Sequence, residues 1–224
     1  MYQMKKIVMD SFRRLSDIVG IDSIGWRYDP IMVDATHTVE WHISEFEKMA
    51  ATLSGYTRTC VISFIDIYKK VERNFPEAME VSHNDKITIG KAFIEIASRY
   101  GMTIKPCAEG NELATYGADC SGCMTVDTFE KALHNRLEIP KGKVNQRNGA
   151  CVCVLGVDIG AYDTCGHLCK YCYANADKAL VRANMKKHNP ESPFLIGESM
   201  PGDVIHEAIQ KSWIDRQLRF DYFY

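Results

Sequence analysis

The first 109 residues alternate between two hydrophobic periods, and this alternation constrains the fold more than any other feature of the sequence. Apolar residues recur at helical spacing in three segments, and three short apolar runs of strand character lie between and after them. The helical stripes comprise Met4, Val8, Phe12, Leu15 and Val19; Ile43, Phe46, Ala50 and Leu53; and Ile89, Ala92, Phe93, Ile96 and Tyr100. The strand-like runs are residues 24–33, 60–65 and 102–107. Such alternating units predict an α/β fold with a mainly parallel sheet covered by helices.

Three βα units are too few for a closed eight-stranded barrel, so we expect a partial or opened barrel. In parallel sheets of this kind, functional side chains lie at the carboxyl ends of the strands. The residues expected along that rim are Arg27, Asp29, Asp66, Cys107 and Glu109. The candidate catalytic residues among them are Arg27, Asp29, Asp66 and Glu109, although a mutual ion pair would explain Arg27 and Asp29 equally well.

From Gly110 onward glycine, asparagine, aspartate and cysteine become frequent, and this change of composition divides the chain. We assign residues 1–109 to the βα portion of the partial barrel and residues 110–224 to a cysteine-rich, metal-binding region packed on it as one structural unit. Residues 140–149 are typical of an exposed loop. Two further helices are predicted from the spacing of apolar residues, namely Val126, Phe129, Leu133 and Leu137, and then Val204, Ile205, Ala208 and Ile209.

The net charge of −2 and the scattered lysines and arginines give no evidence for a nucleic-acid partner. No stretch approaches the roughly 20 consecutive apolar residues of a membrane-spanning helix, and the charged, helical N-terminus is unlike a signal peptide. We therefore expect a cytoplasmic protein without a membrane partner. Its substrate is expected to be a small molecule or a compound of unknown class.

Nine cysteines are many for a chain of 224 residues, and an odd number argues against a fully paired set of disulfides. Cys60 stands alone inside an apolar run, which is typical of a small buried side chain. The other eight lie between Cys107 and Cys172. Clustered thiols in a reducing compartment bind metal more often than they form disulfides, so this third of the chain is expected to carry the chemistry.

The most specific motif is the array Cys165-x3-Cys169-x2-Cys172, in which Tyr171 precedes the last cysteine. This spacing lets three thiolates converge on one cluster from a single loop, and three ligands leave one iron of a [4Fe–4S] cube open to a substrate or cofactor. We therefore predict that Cys165, Cys169 and Cys172 bind an iron–sulfur cluster, and that Tyr171 shields the cluster from water.

The array resembles the signature of the radical S-adenosylmethionine enzymes. That resemblance implies that the open iron chelates the amino and carboxylate groups of S-adenosylmethionine. It also implies that a reductant such as flavodoxin or ferredoxin supplies the electron for cleavage of this cofactor to a 5′-deoxyadenosyl radical. Tyr171 and Asp158 are then candidate cofactor-binding residues. In typical radical enzymes the loop follows the first barrel strand, whereas here it lies after residue 160.

A wider set of residues resembles the family called domain of unknown function 1848, whose C-terminal cysteine cluster has been likened to that of the radical enzymes. The resembling segments are residues 26–30, 146–147, 151–153, 158–160, Tyr162 and residues 172–175. The resemblance names no reaction and indicates a chain that starts later than its relatives. The late array and the surplus cysteines also fit a non-catalytic metalloprotein, either an electron-transfer iron–sulfur protein or a zinc-braced interaction module.

Four of the remaining cysteines suit a second metal site, namely Cys107, Cys123, Cys151 and Cys153. They would fully ligate either a second iron–sulfur cluster or a zinc ion. Cys120 departs from the family pattern and is the expected spare. A rival zinc site would combine two C-x2-C pairs, Cys120 with Cys123 and Cys169 with Cys172.

Overall fold

The structure is a computed structural model that describes residues 2–143, 152–154, 160–204, 206–207 and 211–217. The chain divides into two compact units. Unit 1 comprises Met1–Phe64, Val81–Gly156 and Ser212–Tyr224, and unit 2 comprises Ile65–Glu80 and Val157–Lys211. The predicted division into residues 1–109 and 110–224 stays a prediction.

The elements follow one another in the order helix, strand, helix, strand along the first half of the chain. They are α1 (Tyr2–Val19), β1 (Trp26–Ile31), α2 (Val39–Leu53), β2 (Thr59–Phe64), α3 (Lys69–Asn74), α4 (His83–Arg99), β3 (Thr103–Pro106), a 3-10 helix (Glu112–Tyr116), α5 (Val126–Leu133) and α6 (Lys178–Lys186). Helices α3 and α6 belong to unit 2, and the others belong to unit 1.

The three strands of unit 1 form a parallel sheet in the order β1-β2-β3. Trp26 of β1 pairs with Cys60 of β2, which pairs with Ile104 of β3, and all three side chains are buried. Because successive side chains of a strand point to opposite faces, this row marks one face of the sheet. The α/β fold with a parallel sheet is therefore confirmed, and so is the burial of Cys60.

Two helices cover that face through a cluster of stacked aromatic rings. Phe46 of α2 and Phe93 of α4 stack on each other with their ring centroids 3.8 Å apart. Trp26 stacks on Phe46 at 4.8 Å, and Tyr28 meets Phe93 edge-on at 5.2 Å. The predicted stripes of α2 and α4 are thus the faces that pack on the sheet, since Phe46 and Phe93 are fully buried.

Four helices begin at a residue whose side chain accepts a hydrogen bond from a backbone N–H of the first turn. These residues are Thr38 before α2, Ser82 before α4, Thr125 before α5 and Asp177 before α6. Such caps satisfy N–H groups that the helix itself leaves without a partner, and each contributes about 1 kcal/mol.

The structure departs from the sequence-based expectations at several helices. In α1 the buried residues are Met9 and Ser16, whereas Val8 and Leu15 of the predicted stripe are exposed. Helix α5 ends at Leu133 because His134 adopts a left-handed conformation (φ 50°), so Leu137 lies beyond it and forms a β-bridge with Ile214.

Two other differences concern the C-terminal region. Helix α6 was not among the predicted elements, because Val181 is its one fully buried apolar residue and the polar Asn184 completes its inner face. Of the last predicted helix, Val204 is described and is not helical, while Ile205, Ala208 and Ile209 lie outside the described residues. Residues 144–149 of the predicted loop also lie outside them. In the part of the chain that the structure describes, no helix is both long and apolar enough to span a membrane.

Candidate metal centres

The face of the sheet opposite α2 and α4 carries charged and thiol side chains. Arg27 and Asp29 alternate along β1 with Trp26 and Tyr28, which face the helices. Arg27 shares a row with Lys105 of β3 through Val61 of the central strand. Cys107 follows two residues after Lys105, so alternation places it on the same face, and its backbone N–H donates to Ile62 at 2.8 Å.

Three cysteines of unit 1 converge beyond the end of β3. The Cys123 sulfur lies 3.8 Å from the Cys107 sulfur and 3.6 Å from the Cys153 sulfur. The segment carrying Cys153 is held by two contacts with Met124, because Val154 N–H donates to the Met124 carbonyl at 2.7 Å and Met124 N–H donates to the Cys153 sulfur at 3.3 Å. The predicted fourth ligand, Cys151, lies outside the described residues.

A glycine forms the turn that precedes Cys123. Gly122 has a φ of 120°, a conformation that residues with a side chain rarely adopt. A Cβ atom at this position would lie 3.2 Å from Thr125 Cγ2 and 3.6 Å from the Cys153 sulfur. Gly122 therefore provides the turn that presents Cys123.

Two cationic side chains flank the three cysteines. Arg27 donates through Nε and Nη2 to Asp29 Oδ2, at 3.1 and 2.5 Å, and the Cys107 side chain lies close enough to influence its guanidinium. Partial burial lowers the pKa of Arg27, but the interactions with Asp29 and Cys107 outweigh burial and raise it above the ordinary value. Lys105 is buried and donates to Asp119 at 2.8 Å and to the Gly122 carbonyl at 3.2 Å.

The same contacts shift the acidities of neighbouring groups. Burial would raise the pKa of Asp119, but hydrogen bonds from Lys105 and Ser121 lower it to about 2. The hydrogen bond with Cys107, burial and the nearness of Cys153 together raise the pKa of the Cys123 thiol. A thiol in that environment favours its protonated form until a cation offsets the charge of its thiolate.

Cys120, another thiol of this unit, borders the group and makes no contact with another sulfur in the part of the chain that the structure describes. It is half-buried, and burial and the nearby Asp119 raise its pKa. A cavity of about 20 Å³, the size of a single water molecule, lies between it and the chain after β3. Cys107, Glu109, Cys120 and Cys123 are among its lining residues.

The predicted triad lies on a loop of unit 2. Cys165 and Cys169 are exposed and Cys172 is half-buried, so the sulfurs are accessible to solvent. The Cys172 N–H donates to the Cys169 carbonyl at 3.1 Å, which closes a turn between two of the three cysteines. Leu168 adopts a left-handed conformation with a φ of 53°, an uncommon choice for a residue with a bulky side chain.

Three buried polar residues hold this loop against α6. Asp163 accepts hydrogen bonds from the backbone N–H groups of Ala176 and Asp177. The Asn184 side chain of α6 donates to the Asp163 carbonyl at 3.0 Å. Asn175 donates to the Cys165 carbonyl at 2.7 Å. Together these contacts tie the chain on both sides of the cysteine loop to the residues just before α6 and to the last turn of that helix.

A small cavity of about 120 Å³ adjoins Cys169. Its lining residues include Asn74, Lys170, Asn175 and Lys178. The Oδ1 atom of Asn175 is buried and has no hydrogen-bond partner in the part of the chain that the structure describes. A donor on a bound molecule would satisfy that atom.

The structure separates the predicted rim residues into different environments. Arg27 pairs with Asp29, so the predicted ion pair is present, and the Cys107 thiol lies near the same guanidinium. Glu109 accepts from the Phe64 N–H at 2.8 Å and from Lys86 at 3.3 Å, which ties the end of β2 to α4. Asp66 belongs to unit 2 and accepts from the Tyr68 hydroxyl at 2.9 Å.

The structure does not assign a role to either candidate cofactor-binding residue, Tyr171 or Asp158. Tyr171 is half-buried in unit 2, and Asp158 lies outside the described residues.

Among the residues that the structure describes, no group of three or more His, Cys, Asp and Glu side chains has the arrangement of a formed metal site. Cys120 and Cys123 belong to unit 1, and Cys169 and Cys172 belong to unit 2. The rival zinc site stays a prediction.

Sequence reasoning missed the polar residues that support both cysteine groups, namely Lys105, Asp119, Asp163, Asn175 and Asn184. One of them had a visible signal, because Lys105 is a charged residue inside a short apolar run and such a charge is costly to bury without a partner. The others lie in irregular segments or on a polar helix face, where neither hydrophobic period applies.

Comparison with known proteins identifies one family. The family model described as Domain of unknown function (DUF1848) matches residues 2–174, which contain both cysteine groups and end before α6. No curated protein and no solved structure matches the chain.

Proposed function

The chain belongs to the family of domain of unknown function 1848, and from this premise we propose that it is an iron–sulfur protein with a [4Fe–4S] cluster on Cys165, Cys169 and Cys172. The observation that carries the proposal is one solvent-accessible loop with three free thiols, braced at both ends by the buried Asp163 and Asn175. Thiolates are the usual protein ligands of such clusters, and an exposed loop admits iron and sulfide during assembly.

The residues around the triad fit a cluster with one open iron. Three cysteines leave the fourth iron without a protein ligand. The cavity of about 120 Å³ beside Cys169 is lined by ammonium and amide groups that would bind polar groups of a small molecule. This arrangement supports a radical S-adenosylmethionine-like enzyme acting on a small molecule. When bound, the cluster would supply the electron that cleaves S-adenosylmethionine, and a flavodoxin or ferredoxin would reduce it.

We further propose that Cys107, Cys123 and Cys153 hold a second metal ion together with Cys151. The two sulfur separations of 3.6 and 3.8 Å match the spacing of about 3.8 Å that a tetrahedral zinc site with Zn–S bonds of about 2.3 Å requires. Thiolates that ligate different irons of a cubane lie further apart, so these separations favour zinc over a second cluster. Arg27 and Lys105 would offset part of the negative charge of four thiolates.

Two features of the chain support what we propose about its fold and its cellular compartment. Three adjacent parallel strands with helices on one face and polar side chains on the other are what an opened (βα) barrel presents, so we propose that fold. None of the eight cysteines in the described part of the chain forms a disulfide, which suits a reducing, cytoplasmic compartment.

Anaerobic reconstitution followed by electron paramagnetic resonance tests the function. We expect about four irons and four sulfides per cluster, and a spectrum of the reduced protein that changes when S-adenosylmethionine is added. The Cys169→Ser variant, which loses one ligand, is the matched control and should lose both signals.

Two other outcomes would change the conclusion. If the spectrum of the reduced cluster does not change when S-adenosylmethionine is added, and no 5′-deoxyadenosine forms, the result would favour a non-catalytic electron-transfer protein. Stoichiometric zinc at the triad without a brown chromophore would contradict the iron–sulfur proposal altogether.

A further inference from the structure

The outer face of α6 is a continuous basic surface. Lys178, Arg182 and Lys186 follow one another at four-residue spacing, so they lie on the same side of the helix, and all three are exposed. The helix contains no acidic residue. None of the three cations forms a salt bridge within the ranges that the structure describes. In a chain with a net charge of −2, this surface is a local concentration of positive charge.

This basic face is structurally tied to the predicted cluster loop. On the inner side of α6, Val181 is fully buried and Asn184 donates to the Asp163 carbonyl. Met185 lies beside Arg182 on the helix and is 50% exposed. Its thioether covers Gly166, where an added Cβ would lie 2.8 Å from the Met185 sulfur. Met185 therefore reaches from the basic face to the residue next to Cys165.

We propose that the face formed by Lys178, Arg182, Met185 and Lys186 docks an acidic electron-carrier protein that reduces the cluster on Cys165, Cys169 and Cys172. This inference rests on the proposed function. In the transfer, the carrier loses one electron and the oxidised cluster gains one, so no further reactant is needed. The inference adds to the proposed function the site where the reductant binds.

Position and charge favour an electron carrier over a nucleic acid as the partner. Electron transfer requires the donor to approach the cluster, and the Met185 contact places this face directly against the cluster loop. The basic surface is confined to one nine-residue helix, in a chain whose acidic residues outnumber its basic ones. Opposite charges on two proteins accelerate their encounter, and the acceleration falls as salt rises.

Stopped-flow reduction of the reconstituted protein by a reduced, acidic flavodoxin tests the proposal. The test variant is R182Q/K186Q, which leaves Lys178 in place because Lys178 also lines the cavity beside Cys169, and the matched control is K6Q/R14Q, which removes the same charge from exposed positions of unit 1. The test variant should keep its fold, because like charges four residues apart repel on a helix and their removal does not weaken it. We expect its second-order reduction rate to fall at least about tenfold at low salt, and the control to match the natural protein.

Two further measurements distinguish a loss of docking from a change in the cluster itself. Dithionite, a small reductant that needs no docking surface, should reduce all three proteins at equal rates. For the natural protein, raising salt from about 20 to about 500 mM should remove most of the advantage over the test variant.

The docking proposal would be overturned if the cluster forms and dithionite reduces it, but the flavodoxin rate is the same in all three proteins or independent of salt. A short single-stranded RNA that binds the natural protein and not the test variant, without an effect on flavodoxin rates, would also overturn it in favour of a nucleic-acid surface. Absence of any cluster in the natural protein would instead overturn the proposed function, and this inference with it.

Discussion

Lys105 is a charged side chain inside a buried strand, and its contacts explain how unit 1 accommodates it. Its side chain is 7% exposed and donates to Asp119 and to the Gly122 carbonyl. A buried charge costs several kcal/mol unless it is paired and hydrogen-bonded. The same contacts fasten the turn before Cys123 to β3, which ends just before Cys107. Removing the pair would therefore disturb the cysteine group as well as the sheet.

We expect Asp119→Asn to destabilise the protein by about 1 to 2 kcal/mol at neutral pH, because Lys105 loses its charged partner. The figure lies below that for a fully buried pair, since the Asp119 side chain is 35% exposed. Urea unfolding at pH 7 measures the change. Asp127→Asn is the control, because Asp127 pairs with Lys131 on the exposed surface of α5.

The free energy of unfolding should depend on pH through the carboxyl of Asp119. The pKa of Asp119 is about 2 in the folded protein and 3.8 ordinarily, so its contribution is complete above about pH 4. It is lost as the pH falls from about 4 to about 2, because the carboxyl becomes protonated in the folded protein. The unfolding free energy of Asp119→Asn should fall less steeply over that range. Identical slopes for variant and natural protein would contradict the assigned role of Asp119.

At the scale of elements, the cysteine loop and α6 form one cooperative substructure. Asp163 has a positive φ of 55°, which aspartate and asparagine adopt more readily than other residues with side chains. Its carboxylate caps two backbone N–H groups after the loop, and its carbonyl accepts from α6. The conformation of the triad loop therefore depends on one buried residue outside the metal-binding motif.

We expect Asp163→Ala to cost about 2 to 3 kcal/mol of stability, because it removes the acceptor of two backbone N–H groups and places alanine at a left-handed position. It should also lower the iron bound per chain after reconstitution. Asp163→Asn keeps a carbonyl acceptor and tolerates the backbone conformation, so it should cost less than about 1 kcal/mol. Urea unfolding and iron analysis of both variants provide the measurement, and equal effects would show that the N–H contacts do not hold the loop.

At the scale of the whole molecule, the two cysteine groups belong to different compact units. Cys107, Cys123 and Cys153 lie in unit 1, and Cys165, Cys169 and Cys172 lie in unit 2. Each group has its own polar support, with Lys105 and Asp119 at the first and Asp163 and Asn175 at the second. Their metal contents should therefore respond independently to substitution.

Metal analysis of three serine variants tests that independence. Cys123→Ser should lose the metal of unit 1 and keep the iron–sulfur absorption, whereas Cys169→Ser should lose the absorption and keep the other metal. Cys120→Ser is the matched control and should keep both, since Cys120 is the expected spare. Loss of metal from Cys120→Ser would instead identify Cys120 as a ligand, and simultaneous loss of both metals from either other variant would contradict independence.

The sequence alone determined the features that depend on local periodicity and on motif spacing. The stripes of α2 and α4 and the strands between them follow from which residues can be buried together within one element. The cysteine array and the family follow from residue types at short, fixed separations. Helix α6 was not predicted because its inner face is half polar. The buried residues of α1 differ from the predicted stripe because the elements packed against the helix determine which of its sides is covered.

Only the tertiary structure decided which distant residues meet. Cys123 lies 16 residues from Cys107 and 30 from Cys153 along the chain, yet contacts both sulfurs. The nearness of Arg27 to Cys107 and the contact of Lys105 with Asp119 depend on the register of the sheet and the path of the turn after β3. The physical reason is that an amino-acid pattern encodes which side of its own element is buried, whereas the partner across the interface is chosen by packing, register and charge of the folded chain.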